Sequence, residues 1–236
     1  MRIFRTEFGI EYEKYSFGYA LYAELEKDDN PQGAYEQGFL PNSADPDLTS
    51  RFYMARSVRM PLSDFIPSSE NRRIFRKFDG QFSFSYIDRD AIAEEKEFKP
   101  MFLEYFERRH GKNIMGEKRL DGILRSILPL RVVRYEKDSR PIGYVLEVVQ
   151  PTFSHYWYSA YDLALAESSF GMWLLLGAAR RAKEEQHAYF YLGTAYGQKG
   201  RYKTNLSPLE FWDGTIWNTD ETQLRALIEN DSEIKS

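Results

Sequence analysis

The stretch YFYLGTAYGQKGRYKTNLSPLEFWDGTIW, residues 189–217, concentrates side chains that could do chemistry. An apolar run rich in β-formers stops at Gly193. Lys199, Arg201 and Lys203 then alternate with tyrosines, and Pro208 and two tryptophans follow. Cations at this spacing suit an anionic ligand. A strand followed by a solvated basic loop has the same spacing, so the stretch by itself leaves both readings open. A second basic cluster, Arg72, Arg73, Arg76 and Lys77, lies in ENRRIFRKF. With one acid nearby it is denser in cations than most solvated helix faces, and its functional reading is phosphate contact.

Composition narrows the chemistry. The 236 residues include no cysteine, which removes disulfides, thiolate nucleophiles and Cys-ligated metal sites. His110, His155 and His187 lie far apart, without metal-ligand spacing, so no metal is expected. His155, mid-strand among aromatics, reads first as a core histidine and second as a proton acceptor. No signal-like N-terminus and no apolar run of membrane-spanning length is present, so a cytoplasmic protein without membrane contact is expected. A net charge of −4 does not advertise nucleic acid, and such a partner would need a local basic patch inside an acidic whole. Aromatics make up 16% of the chain, an excess that fits ring-lined pockets and a Tyr/Phe-rich β core equally well.

The elements that must position these residues follow from periodicity. Residues 17–26 read as a strand, PQGAYEQGF as a short helical turn closed by Gly38, and 51–60 as one alternating strand. A helix starts at Ser68 or Ser69, turning Ile74, Phe75 and Phe78 inward and the four cations outward. After a strand at 82–88 come charged helices, broken near Pro100 and again at residues 110–113, and a further helical stretch, GEKRLDGILRSIL. From residue 130 the pattern becomes hairpin, strand to Tyr161–Asp162, long amphipathic helix, strand 189–196, and a final helix capped by Thr219 or Asp220. Hairpin, strand, long helix and strand is the core order of the GNAT acyltransferase fold, although many α+β proteins share it.

Four segments carry a more specific likeness. YSAYDLALAESSFG has an aromatic–Asp pair followed by Ser-apolar-Gly; YFYLGTAYGQKGRYKTNLSPLEFWDG has an aromatic–Gly strand, a Lys-x-x-Tyr-Lys step and a Pro-x-Glu turn. AYEQGF and FYMARSVRMPLSDFIPSSENRRIFRKF supply a Tyr-x-x-Gly-aromatic segment and a strand leading into a basic helix. In this order and at these spacings they resemble the arginyl/leucyl-tRNA–protein transferase family, the N-end rule aminoacyltransferases. The resemblance implies an α+β chain in two parts: a small N-terminal domain over residues 1–88 and a GNAT-like catalytic domain over 89–236. The N-terminal domain departs from the family by lacking its cysteines, and the stretch after Gly193 is shorter than the usual pattern.

The reaction implied is attack by an α-amine on the aminoacyl ester of a tRNA. The co-substrate is aminoacyl-tRNA, no cofactor is needed, and the acceptor is a protein or peptide N-terminus. Such an ester is already activated, so alignment is the main demand; an α-amine with a pKa of about 7.7–8.0 needs only a weak base. On this resemblance Tyr191, Tyr196 and Tyr202 are candidates for the terminal adenosine, and Lys199, Arg201 and Lys203 for phosphate. Asp162, Tyr191 and Lys203 stand as the catalytic candidates. Tyr161, Ser169, Gly193 and Glu210 complete the substrate set, with Arg72, Arg73, Arg76 and Lys77 on the tRNA. Asp162 is read as holding the acceptor ammonium or a cationic aminoacyl side chain, or else as a helix cap. Ser169 has the same two options, and Glu210 pairs with backbone or binds the acceptor. Acceptors of this family present Asp or Glu, which makes Arg56 and Arg59 candidates for that carboxylate. Asp162 and Glu167 lean the aminoacyl group toward Arg over Leu.

Two alternatives compete. A CoA-dependent N-acyltransferase needs a Gly-rich pyrophosphate loop at the start of the long helix, where this chain reads AESSFGMW with one glycine. A catalytically idle tRNA- or peptide-binding protein agrees with the lost cysteines, while the retained Tyr–Lys–Pro–Glu region opposes it.

Overall fold

The computed structural model describes residues 1–11, 13, 16–166 and 168–233. The chain begins with strands β1 (Arg2–Glu11) and β2 (Ser16–Glu24), then α1 (Pro31–Glu36), β3 (Phe39–Pro41), β4 (Arg51–Met54) and β5 (Ser57–Pro61). Helix α2 (Ser69–Phe78) leads to β6 (Ser83–Ile87), α3 (Phe98–His110) and α4 (Glu117–Leu124). Three long strands follow: β7 (Leu130–Lys137), β8 (Arg140–Gln150) and β9 (Phe153–Tyr161). Helix α5 (Phe170–Glu184) and β10 (Tyr189–Thr194) come next. The last segment holds α6 (Gly197–Gly200), β11 (Glu210–Trp212), β12 (Trp217–Asn218) and α7 (Glu221–Glu233).

Two sheets result, one ordered β1-β2-β4-β3 and one ordered β12-β11-β5-β10-β9-β8-β7-β6. The first is antiparallel; the second is mixed, since β9 and β10 run parallel. The fold is α+β, as the periodicity predicts. The chain divides into two compact units, Met1–Arg59 with Gly193–Ser236, and Met60–Leu192. The second unit is thus an insertion into the first, and a cut at residues 88 and 89 falls inside it.

In the discontinuous unit, Tyr35, Phe39, Phe52, Val58, Phe211, Leu224 and Ile228 are buried. Gly38 lies at φ +79°, and a Cβ there would fall 2.2 Å from Cγ of Trp212. Only glycine meets both conditions. The expected single strand over 51–60 is two strands. Ser57 N donates to Ala55 O at 2.8 Å, a turn tight enough to separate them. As a result β4 pairs with β2 and β3 while β5 pairs with β11.

In the continuous unit, Ser68 is the cap of α2, its hydroxyl accepting from Asn71 N at 3.2 Å. Ile74 and Phe78 are buried, whereas Phe75 stays half-buried with the Arg180 guanidinium 4.4 Å from its ring centre. Pro100 does not break a helix. It lies in the first turn of α3, where its missing N–H is not required. Helix α5 buries Phe170, Trp173, Leu174 and Ala178. Glu147 of β8, with its side chain 1% exposed, binds Arg181 of α5 at 2.6 Å and Arg131 of β7 at 2.8 Å. Arg181 also donates to Tyr135 Oη at 2.8 Å. A carboxylate taken out of water needs such partners, so this network fixes α5 against β7 and β8.

Candidate functional site

Strand β9 holds the most distinctive backbone feature of the continuous unit. Its parallel ladder with β10 covers Phe153↔Tyr189, Ser154↔Phe190 and His155↔Tyr191 and stops there, while β9 runs on to Tyr161. Tyr156 to Ser159 change from buried to half-buried at that point. On the other edge, β8 pairs Leu146 with Tyr158 but Glu147 with Tyr156, which makes Trp157 an extra, bulged residue. Bulges re-aim side chains and often accompany binding sites.

The start of α5 belongs to the same unit. Ser169 occupies the cap position at φ +69°, and its side chain makes no capping hydrogen bond. Trp173 N donates to Ser169 O at 3.1 Å, and among the described residues the amides of Phe170, Gly171 and Met172 have no helical acceptor. Lys77 Nζ of α2 donates to Ser168 O at 2.8 Å. Gly171 sits against the Tyr161 hydroxyl, and a Cβ on it would come within 2.5 Å of that oxygen. The Tyr161 ring packs on Tyr105 at 4.7 Å and Phe170 at 5.4 Å. Burial, reinforced by the Tyr161 hydroxyl, holds the Tyr105 phenol well above its ordinary value. Asp162 Oδ1 accepts from Ala164 N at 2.9 Å, capping a short 3-10 turn over Leu163–Leu165.

In the discontinuous unit, Tyr196 and Tyr202 present half-exposed rings. Lys199 and Arg201 are exposed, Arg201 lying 3.7 Å from Glu229. Lys203 differs from both. It is 9% exposed, and its ammonium donates to Thr194 O. Burial alone pushes its pKa down to about 8. Gly193, at φ +79°, sits just before Thr194.

The arginines expected to receive an acceptor carboxylate already hold one. Arg56 binds Asp231 at 2.7 Å, and its guanidinium lies 4.8 Å from the Tyr196 ring centre. Arg59 binds Glu210 at 2.6 Å and lies 4.0 Å from the Trp217 ring centre. Glu210 is therefore engaged by a side chain, not by backbone.

The structure gathers Lys77, Tyr161 and Ser169 at the start of α5, with Asp162 directly after β9. Arg72 donates to Pro67 O at 2.6 Å, Arg73 to Glu70 at 2.6 Å, and Arg76 is exposed. Tyr191 is 1% exposed, edge-on to Phe153 at 4.9 Å, so its ring offers no open face to a base. Glu167 lies outside the described residues. Sequence reasoning missed the Trp157 bulge, Gly171, and Tyr158, whose hydroxyl accepts from Arg119 at 3.3 Å. The signal was present in HYWYSAY, where three consecutive aromatics break strict alternation.

A parallel pair of strands that part midway, followed by a helix with an open N-terminus, is the geometry of an acyl-transfer fold. Residues 69–204 match the family model described as an acetyltransferase (GNAT) domain, and the chain belongs to that family. Within it, the chain is a distant homologue of aspartate/glutamate leucyltransferases. It is 28% identical to the Rhizobium meliloti (strain 1021) protein of that name over 191 residues, 72% of this chain. It is 27% identical to the Methylobacterium nodulans protein over 177 residues, covering 65% of this chain and 67% of that one. The match spans 66% of the Rhizobium protein, slightly under two thirds of its length. Among solved structures, FemX superposes with a TM-score of 0.47 at 10% identity, covering 74% of this chain and 63% of that one. Among the described residues no helix is long and apolar enough to cross a membrane.

Proposed function

We propose that the protein transfers leucine from aminoacyl-tRNA to the α-amine of a protein or peptide that begins with Asp or Glu. The observation that carries the reading is the parting of β9 from β10 after His155 and Tyr191. Acyl transfer needs backbone donors aimed at a carbonyl oxygen, and a strand that has left its parallel neighbour is placed to supply them. In the reaction the acceptor nitrogen bonds to the aminoacyl carbonyl carbon, and the ester C–O bond to the tRNA 3′ end breaks. The proton leaving the nitrogen passes to solvent, and the ribose oxygen leaves with a proton in its turn.

Side-chain roles follow from what each residue touches. Asp162, with one oxygen on Ala164 N, has its second for the acceptor ammonium. The open amides of α5 and Lys77 suit a phosphate of the tRNA end. Arg72, Arg73 and Arg76 extend the positive charge along α2, and the Arg73–Glu70 pair is exposed enough to exchange with phosphate. Lys199 and Arg201 serve phosphate, while Tyr196 and Tyr202 stack on bases.

Leucine replaces the arginine favoured by the sequence. That preference rested on Asp162 and Glu167. Glu167 lies outside the described residues, Asp162 is assigned to the acceptor ammonium, and the relatives' names specify leucyl transfer. Labelled Leu-tRNA and Arg-tRNA are each offered with peptides beginning Asp, Glu or Ala. Label is expected in the Asp and Glu peptides from Leu-tRNA; no label in any peptide from either tRNA would sink the reading. Asp162→Asn keeps an oxygen for the Ala164 amide and should lower transfer by roughly tenfold to a hundredfold without changing Tm.

A further inference from the structure

The continuous unit gathers cations at a place that the site above does not use. From Arg108 to Arg119 the chain reads RRHGKNIMGEKR, five Lys or Arg against Glu117 alone, in a chain whose net charge is −4. Arg108, Arg109, Lys112 and Lys118 are exposed, and the next acid, Asp121, is held by Lys99 at 2.8 Å. Helix dipoles account for only part of this. The C-terminus of α3 favours Arg108 and Arg109, but Lys118 and Arg119 stand in the first turn of α4, where positive charge is disfavoured. The segment is also tied down. Met115 is buried, and Arg119 donates to Ile114 O at 2.6 Å and to the Tyr158 hydroxyl at 3.3 Å. At its root, Phe106 packs on Tyr158 at 5.8 Å and on the exposed His110 ring at 4.9 Å. The bulge in β9 leaves the Trp157 and Tyr158 rings 5.4 Å apart and half-buried beside these cations. Tyr105, one residue before Phe106, packs at 4.7 Å on Tyr161, whose hydroxyl meets Gly171 at the start of α5.

We propose that the α3–α4 connection, residues 108–119, holds the phosphate backbone of the tRNA next to its aminoacyl end, with the Trp157 and Tyr158 rings facing a base. The proposal rests on the function given above and adds a surface to that site. Exposed cations spread along a loop suit a chain of phosphates better than a single carboxylate. Rings beside them offer flat faces for stacking, which an acidic peptide or a lipid headgroup does not use. A loop already fixed by Met115 and Arg119 loses little freedom on binding.

The test measures deacylated tRNA bound to the full chain at several salt concentrations, with no transfer step. Arg108→Gln, Lys112→Gln and Lys118→Gln together should flatten the slope of log affinity against log salt by about 2–3. Lys96→Gln, Lys137→Gln and Arg140→Gln remove the same charge from exposed positions elsewhere in the unit and should leave the slope as it is. Trp157→Leu should weaken binding at least about fivefold with the slope unchanged. Melting curves establish that each variant is folded. In the wild type, which needs no variant, tRNA should shield Lys112 and Lys118 from amine acylation while Lys96 and Lys137 stay reactive. The proposal is overturned if the first triple variant keeps the wild-type slope, or if both triple variants flatten it equally. Displacement of tRNA by polyglutamate or anionic vesicles as effectively as by competitor RNA also overturns it, since the loop would then serve another acidic partner. A wild type that binds no tRNA would remove the proposed function, and this surface with it.

Discussion

Two lysines four residues apart show how differently one side chain can be used. Lys199 keeps its hydration; Lys203 has given it up, and burial brings its pKa from an ordinary 10.5 down to about 8. Between those two pH values the folded chain binds fewer protons than the unfolded one, so stability rises with pH across that window. Below pH 8 the full penalty applies. Lys203→Met removes the charge, and thermal melts should show it more stable than wild type at pH 7 by up to about 3 kcal/mol. That advantage should fade as pH approaches 10.5, and a constant difference would mean that the charge is not the cause. The burial was not legible in GRYKTN, where Lys203 reads as a phosphate or catalytic candidate and nothing local separates it from Lys199. The pairing of Arg56 and Arg59 was hidden for another reason. Their partners Asp231 and Glu210 are 175 and 151 residues away, and local pattern carries no information about such separations.

At the scale of elements, the sequence was most informative where hydrophobic period changes from 2 to 3.6. The hairpin of β7 and β8, then β9, α5 and β10, could be read in order because each is a largely apolar run bounded by turn or polar residues, although β8 is buried without alternation from Ile142 to Val148. It was least informative where a short-range hydrogen bond decides. The tight turn at Ala55–Ser57 separates β4 from β5, and its residues continue the alternation that suggested a single strand. Strand β1 was not foreseen, because RIFRTEFGIE mixes charge and apolar residues without a turn signal before it. Gly171 is the joint between β9 and α5, since its missing side chain makes room for the Tyr161 hydroxyl. A methyl there must displace the ring or the first turn of the helix. Gly171→Ala is therefore expected to cost roughly 1–3 kcal/mol in urea unfolding, with a larger proportional loss of transfer than of stability. An unchanged unfolding midpoint would show that Tyr161 moves aside freely.

For the whole molecule, a net charge of −4 and the proposed tRNA partner are compatible only if binding is local and electrostatic. Affinity for tRNA should then fall linearly with log salt. The double variant Arg76→Ala and Lys77→Ala should flatten the slope by about 0.7–0.9 for every phosphate that these two cations neutralise. A slope identical to wild type would remove α2 from the tRNA surface. The division of the chain has a consequence in time as well. Met60–Leu192 is contiguous and has all its partners once Leu192 has been made. Met1–Arg59, although synthesised first, draws on Gly193–Ser236 to complete its unit. At about 5–20 residues per second, the leading segment leaves the ribosome and waits while the whole inserted unit is translated. Met1–Arg59, made before the inserted unit, therefore finishes folding after it, and chaperone dependence should concentrate there.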